Sequence, residues 1–470
     1  MRHIRLATLA TILGLVSALT AGAQEIYFGT LHSHSCYSDG TGTPEEAFRY
    51  AREQGRLDFM ALTDHNHELA EQGAAERTDG LLIAKDHSLY EGPRLDSLVE
   101  TARRMTRNGA FVALCGQEVS SISKGNHVNA FEVPRVVDVP NGRFDLLLRE
   151  WLPAHPDSSG KPAILQFNHA RELRNKAVEY GLDDFASPAE WLAAIQPHVC
   201  LMEMMNGPAM VKTGGYRPTV MESEYLDYLN RGVHLAPSAN QDNHYATWGA
   251  STDARTAVIT TELTRDALLE ALRQRRVYAT EDRDLRALFR IGGRLAGAVV
   301  TPPPDVGALL PAECSLVDDD DPGASFEVET WTDRVGGEDR ARLVARRTFT
   351  AAVAARGWQA LAPVRYEGGC QYVFFKVRRV VPGRAPARAW SAPTWFEPAA
   401  GPAAEPGFDD AWADLFVATE GSAEYHVTPL CAEARKIAGP VRVQGPAARY
   451  GRSRHAGCRP SHGKRPAGGS

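Results

Sequence analysis

The chain has 470 residues, 43% of them hydrophobic and 23% charged, with a formal net charge of −6 at neutral pH. That length accommodates two or three domains with a full core, and the ordinary apolar and charged fractions exclude both a disordered chain and a membrane bundle. The acidic balance argues against a general nucleic-acid binder, which presents a basic face.

Arg2, His3 and Arg5 precede an apolar run from Leu6 to Leu19, and Ala21-Gly22-Ala23 then supplies small residues before Gln24. A basic start, an apolar middle and an A-x-A site predict a cleaved secretory signal peptide over residues 1–23. The run is short for a bilayer span. The expectation is export to the periplasm or beyond, with no membrane association after cleavage. The seven cysteines, Cys36, Cys115, Cys200, Cys314, Cys370, Cys431 and Cys458, are scattered and odd in number, with no dense disulfide framework. Cys115 and Cys200 sit in apolar runs and are expected to pack as small hydrophobes.

From about residue 24 to 284 a unit recurs: a short apolar run, a loop rich in His, Asp or Glu, then a helical stretch. The runs are Ile26-Phe28, Leu57-Leu62, Phe111-Leu114, Ala163-Phe167, Val199-Met205, Val233-Ala236 and Ala257-Thr260. Thr43-Pro44-Glu45-Glu46 reads as a capping box with proline at the first helical position, and Gly55 stops that helix. Ser187-Pro188-Ala189-Glu190 repeats the chemistry. Strands alternating with helices imply a helix-covered parallel sheet of the α/β class. With about seven units and no glycine-rich dinucleotide turn, a closed or distorted barrel is favoured over an open doubly wound sheet.

After residue 284 the texture changes. Thr301 to Pro304 reads as loop, and Asp318 to Asp321, followed by Pro322-Gly323, reads as a solvated turn. Alternation in Phe326 to Trp331 and the run Tyr372 to Val381 predict a small β-rich domain over 285–397. An Ala/Pro/Gly linker at 398–406 leads to a small C-terminal unit, 407–470, with a basic, glycine-rich end.

The candidate chemistry lies at the strand ends. His32 and His34 follow the first strand, and i, i+2 spacing on extended backbone points both imidazoles the same way. Asp39 comes five residues later. Asp64 and His65 close the second strand, Glu118 closes the third with His127 following, His169 closes the next, and Asp242 and His244 follow the strand beginning at Val233. In a parallel α/β barrel such ends converge on one face. Nine residues of this kind, none a thiolate, suit Zn, Mn or Fe, and they exceed what one ion needs. Two or three divalent ions are therefore expected, with Glu118 as the bridging carboxylate and a bridging water activated for hydrolysis. Asp64 is read as an acceptor that orients an imidazole from behind, or as a base. His67, His87, His155, His198 and His234 lack strand-end placement, and no G-x-S-x-G elbow supports a serine triad.

Read in order, His32-x-His34, Ser38-Asp39-Gly40, Thr63-Asp64-His65, Glu118, His127, His169 and Asp242-x-His244 resemble the signature of the polymerase and histidinol phosphatase (PHP) superfamily. Asp242-Asn243-His244-Tyr245 and Arg275 to Thr280 are similar to its carbaryl-hydrolase-like (CehA/McbA) branch. The resemblance covers about residues 25–285. It implies a distorted seven-stranded (β/α)7 barrel with up to three metals. By that resemblance His32, His34, Glu118 and Asp242 would hold one ion. Glu118, His127 and His169 would hold a second, and Asp39, His65 and His244 a third.

The resemblance implies a small-molecule ester substrate. A phosphoester is favoured, with a carbamate or aryl ester as the alternative, since the same attack serves phosphorus or carbonyl carbon. Lys124, Arg171, Lys212 and Arg217 lie in nearby loops as candidate phosphate contacts. A non-catalytic, metal-stabilised binding protein is the competing class, and substituted ligands would be its mark. In the tail, His426, Cys431, His455 and Cys458 resemble the small metal-binding module of the Ada repair protein, with histidines at two of the four cysteine positions. That implies a structural zinc site, the alternative being a disordered basic tail. Oligomeric state is not legible in the sequence.

Overall fold

The computed structural model describes residues 24–66, 89, 93–120, 127–140, 143–170, 180–337 and 341–398, together with four short C-terminal backbone strands, Phe416–Ala418, Glu424–Tyr425, Val441–Val443 and Ser453–Arg454. The expected signal peptide, Lys124, Arg171 and the tail residues His426, Cys431, His455 and Cys458 lie outside the residues whose side chains are described. Among the described residues no helix is long and apolar enough to cross a membrane.

The architecture is mixed α/β. The first part of the chain contributes β1 (Glu25–Thr30), β2 (Phe59–Leu62), β3 (Val112–Val119), β4 (Val128–Phe131), β5 (Ile164–Phe167), β6 (Val199–Asn206), β7 (Thr219–Val220), β8 (Ala236–Ala239), β9 (Arg255–Thr260) and β10 (Val277–Thr280). Each apolar run of the sequence meets one of these strands, although the run at Val233 is taken up two or three residues later than expected. The helix Pro44–Glu53 has the full capping box, with Thr43 and Glu46 each bonding the other's backbone N–H. Pro188–Ile195 has half of one: Ser187 caps Glu190 N, while the Glu190 carboxylate turns back to Ala186 N.

Two expectations are corrected here. The strands are not uniformly parallel. β1, β2 and β3 run parallel, as do β5, β6 and β8, but β4 is antiparallel to both its neighbours, β9 runs antiparallel to β1, and β10 runs antiparallel to β9. Nor does backbone hydrogen bonding close a barrel among the described residues. Between β8 and β9 there is no ladder; the buried Thr256 hydroxyl accepts from Ala239 N and lies 2.9 Å from Ala239 O, bridging the seam with a side chain.

The β-rich segment joins the same sheet. Ala387–Ser391 pairs with β10 and with Gln371–Val380, which in turn pairs with Ser325–Arg334 and Thr394–Phe396, giving 16 strands in one hydrogen-bonded system. The turn expected to be solvated is also different: Asp318 and Asp321 are buried, because Arg379 from the strand Gln371–Val380 pairs with both. Cys115 and Cys200 are buried in β3 and β6, as expected of small hydrophobes.

Candidate metal centre

Two chain segments over 200 residues apart form the first half of the site. His34 N donates to Asn243 O (2.8 Å) and Asp242 N donates to His32 O (3.0 Å), so the turn after β1 and the turn after β8 zip together backbone to backbone. His32 Nε2 and His34 Nε2 then lie 3.3 Å apart, with Asp242 Oδ1 3.2 and 3.1 Å from them. Asp242 holds this place with φ of +52°, and His169 holds its own with +26°, left-handed backbone of the kind that collects at functional sites. Gly40 lets the Asp39 loop close over His34: a Cβ there would come within 2.7 Å of the His34 carbonyl carbon.

The second half comes from β3 and its neighbours. Glu118 lies inside β3 rather than beyond its end, because the strand runs on to Val119. Its Oε2 is 3.2 Å from His32 Nε2, His34 Nε2 and His65 Nδ1, and its Oε1 is 3.0 Å from His127 Nδ1 and 2.9 Å from His169 Nε2. One carboxylate thus touches five imidazoles. His127 stands at the start of β4, not past a strand end; because β4 is antiparallel to β3 and β5, its start reaches the same edge. Asp39 completes the set, 2.9 Å from His244 Nε2 and 3.5 Å from His65 Nε2.

Three groups of ligand-type atoms result: His32, His34, Glu118 and Asp242; His34, Asp39, His65 and His244; and His65, Glu118 and His127. All nine expected residues are brought together, with a regrouping. His65 serves two groups, while His169 meets Glu118 without belonging to any of the three. Both Asp39 oxygens, Asp242 Oδ1 and His244 Nε2 are buried and make no hydrogen bond, although ion-pair distances separate them from neighbours. Buried polar atoms left this way are costly unless something else satisfies them. Imidazole and carboxylate donors converging at these distances fit divalent transition ions.

Electrostatics agree. Burial opposes charge on His32, yet Asp242, Glu118 and Glu203 outweigh it and push its pKa up to about 10. Burial likewise works against the Glu118 carboxylate, but His32, His127 and His65 hold it well below the usual range. Asp39 is lowered against its burial by His65, His244 and His34. His65 is itself depressed, chiefly by burial. His34 is raised like His32, the Asp242 and Glu118 carboxylates beside it outweighing its burial.

Asp64 is not turned to this cluster. Its carboxylate accepts from Ser35 N (2.8 Å), Ser35 Oγ (2.8 Å) and Ser38 Oγ (2.6 Å), so it braces the loop that carries Asp39; of its two expected roles this matches the orienting one, since Ser38 Oγ lies 3.3 Å from His34 Nδ1. His155 stacks on Trp151, His198 bonds Ala163 O, and His234 pairs with Glu397, all apart from the centre. Sequence reasoning missed Glu203, fully buried in β6 with His32 Nδ1 3.0 Å from its Oε1; its one signal was a lone carboxylate within Val199-Met205. Of the loop cations, Lys212 lies 4.8 Å over the Tyr245 ring and Arg217 is exposed; their loop is tied to the 242–251 turn by His244 N donating to Ala209 O and Tyr216 N to Ser251 O.

No family model matches the sequence, and no curated protein matches it. Among solved structures, a two-domain protein from Bacteroides vulgatus ATCC 8482 containing a predicted PHP-like metal-dependent phosphoesterase matches with a TM-score of 0.39 and 14% identity, over 75% of this chain and 90% of that one.

Proposed function

We propose that the chain is an exported metal-dependent hydrolase of the PHP type, in its carbaryl-hydrolase-like branch, acting on phosphate esters of small molecules. The observation that carries this reading is Glu118, one buried carboxylate shared between two of the three ligand groups. A lone structural ion needs no such sharing. Bound divalent ions would supply Lewis acidity, polarising a substrate oxygen and bringing a water towards neutrality in pKa. The chain's own residues do the rest. His32, His34, Glu118 and Asp242 hold one position, His34, Asp39, His65 and His244 a second, and His65, Glu118 and His127 a third, with His169 on Glu118. His127 is the most open of the six clustered histidines, at 21% side-chain exposure, and marks the side from which a substrate arrives. Lys212 and Arg217, exposed in the loop beside His244, are the cations this reading assigns to an anionic group.

A second reading, an aryl ester or carbamate substrate, is favoured by Met210 and Tyr216, 50% and 47% exposed in that same loop, which offer apolar surface. The test is a panel of aryl phosphate, phosphodiester, aryl carbamate and aryl carboxylate substrates on metal-loaded protein. Phosphate ester turnover, weakened in Lys212→Ala, is the expected result. Turnover of carbamates alone would transfer the assignment to the second reading, and no turnover of any class would sink both.

A further inference from the structure

Glu203 is fully buried against His32 and His169, and its two oxygens are fully engaged. Oε1 takes His32 Nδ1 (3.0 Å) and Asn240 Nδ2 (3.0 Å); Oε2 takes His169 N (2.6 Å) and Asn206 Nδ2 (2.8 Å). The orientation of Asn240 is fixed independently, because its Oδ1 accepts from Leu31 N at 2.7 Å. Its amide nitrogen therefore faces Glu203, and Oε1 is an acceptor. An acceptor at that position requires a proton on His32 Nδ1, which leaves the Nε2 lone pair for the cluster. The same carboxylate holds the backbone of His169, whose φ of +26° needs restraint from outside the strand. His34, His65 and His244 have Ser38 Oγ, Ser120 Oγ and the Asp242 carbonyl at their Nδ1 atoms instead.

We propose that Glu203 is a positioning residue that fixes His32 as the Nδ1–H tautomer and pins His169, and so sets the metal affinity of the centre. This rests on the metal-dependent reading above. The polar floor around it carries the constraint further. Asn240 Nδ2 also reaches Gln166 Oε1, Gln166 Nε2 donates to Asn168 Oδ1, and Asn168 Nδ2 donates to Glu118 Oε1 at 3.1 Å. The carboxylate that orients His32 and the carboxylate shared between ligand groups are thereby members of one buried network. Orienting partners of this kind change metal affinity by roughly 10- to 100-fold when removed.

E203Q is nearly isosteric but places a donor where two donors already point. Metal-free wild-type and E203Q proteins are titrated with Mn²⁺ and with Zn²⁺, and thermal unfolding of the metal-free forms is recorded beside them. The expected result is affinity for the tightest ion lowered about 10- to 100-fold in E203Q, with the variant still folding cooperatively. Equal affinity in a folded E203Q overturns the proposal alone. A wild-type protein that binds neither ion overturns the metal-dependent reading, and this proposal with it. Nitrogen NMR of the zinc-loaded wild-type protein, with His32 assigned by comparison with H32N, gives a second reading that needs no folded E203Q. Coordination through Nε2 with a retained Nδ1 proton is expected; coordination through Nδ1 overturns the assignment.

Discussion

Asp64 and Asp242 both sit in Asp/His motifs, one beside His65 and one two residues before His244, and the chemistry of the two carboxylates diverges entirely through what surrounds them. Asp242 Oδ1 is left facing His32 and His34, whereas Asp64 is consumed by Ser35 and Ser38. Asp64→Asn should therefore keep bound metal and lower turnover by less than about tenfold, where loss of a general base costs roughly 10²- to 10⁴-fold. Steady-state kinetics beside metal content checks this. His32 supplies a prediction in pH. Its metal-free pKa is raised from 6.5 to about 10, so it carries a proton at about pH 8, and a ligand imidazole must be neutral. Metal binding should expel that proton, and affinity should climb as pH rises towards 10. Calorimetric titration in two buffers of different ionisation enthalpy should give different apparent enthalpies; identical ones would contradict the assignment. The strand-end histidines and aspartates were legible because each lies in a short local motif. Glu203 was not, since nothing local distinguishes it from a paired core charge. Its meaning depends on His32, 171 residues away.

At the scale of elements, the apolar runs marked where strands lie but not which way they run. Four to six consecutive apolar residues look alike in parallel and antiparallel ladders, so β9 kept its direction hidden, and β4, interrupted by Asn129, was not marked by an apolar run at all. The consequence is functional, because the reversal of β4 is what delivers His127 to the edge where Glu118 stands. The seam between β8 and β9 was equally invisible. There one hydroxyl stands in for a ladder, and Thr256→Val removes it while preserving shape. That substitution should cost about 1–3 kcal/mol, as expected when buried backbone groups lose their partner. Denaturant unfolding measures it; an unchanged midpoint would mean the seam is held by packing alone. Arg379 teaches the same lesson for the acidic turn, whose burial follows from a partner about 60 residues onward.

For the whole molecule, the change of texture at 284 marks a change of chain path and not a break in the sheet. β10 pairs with β9 on one side and with Ala387–Ser391 on the other, and Ile26, Phe28 and Ile259 pack in one cluster with Phe289, Phe375 and Val377. A chain ending at residue 284 would expose that cluster and an unpaired strand edge, both aggregation liabilities. It should be insoluble or unfolded when expressed alone; a soluble, cooperatively folding 24–284 fragment would show that the β-rich segment is an independent domain. The central claim concerns the centre itself, and metal content tests it most directly. Elemental analysis of the purified, metal-loaded protein should find at least two divalent ions per chain, in keeping with the three ligand groups, and Glu118→Gln should retain fewer because it belongs to two of them. A wild-type chain that stays metal-free after loading with Mn, Zn or Fe would contradict the account.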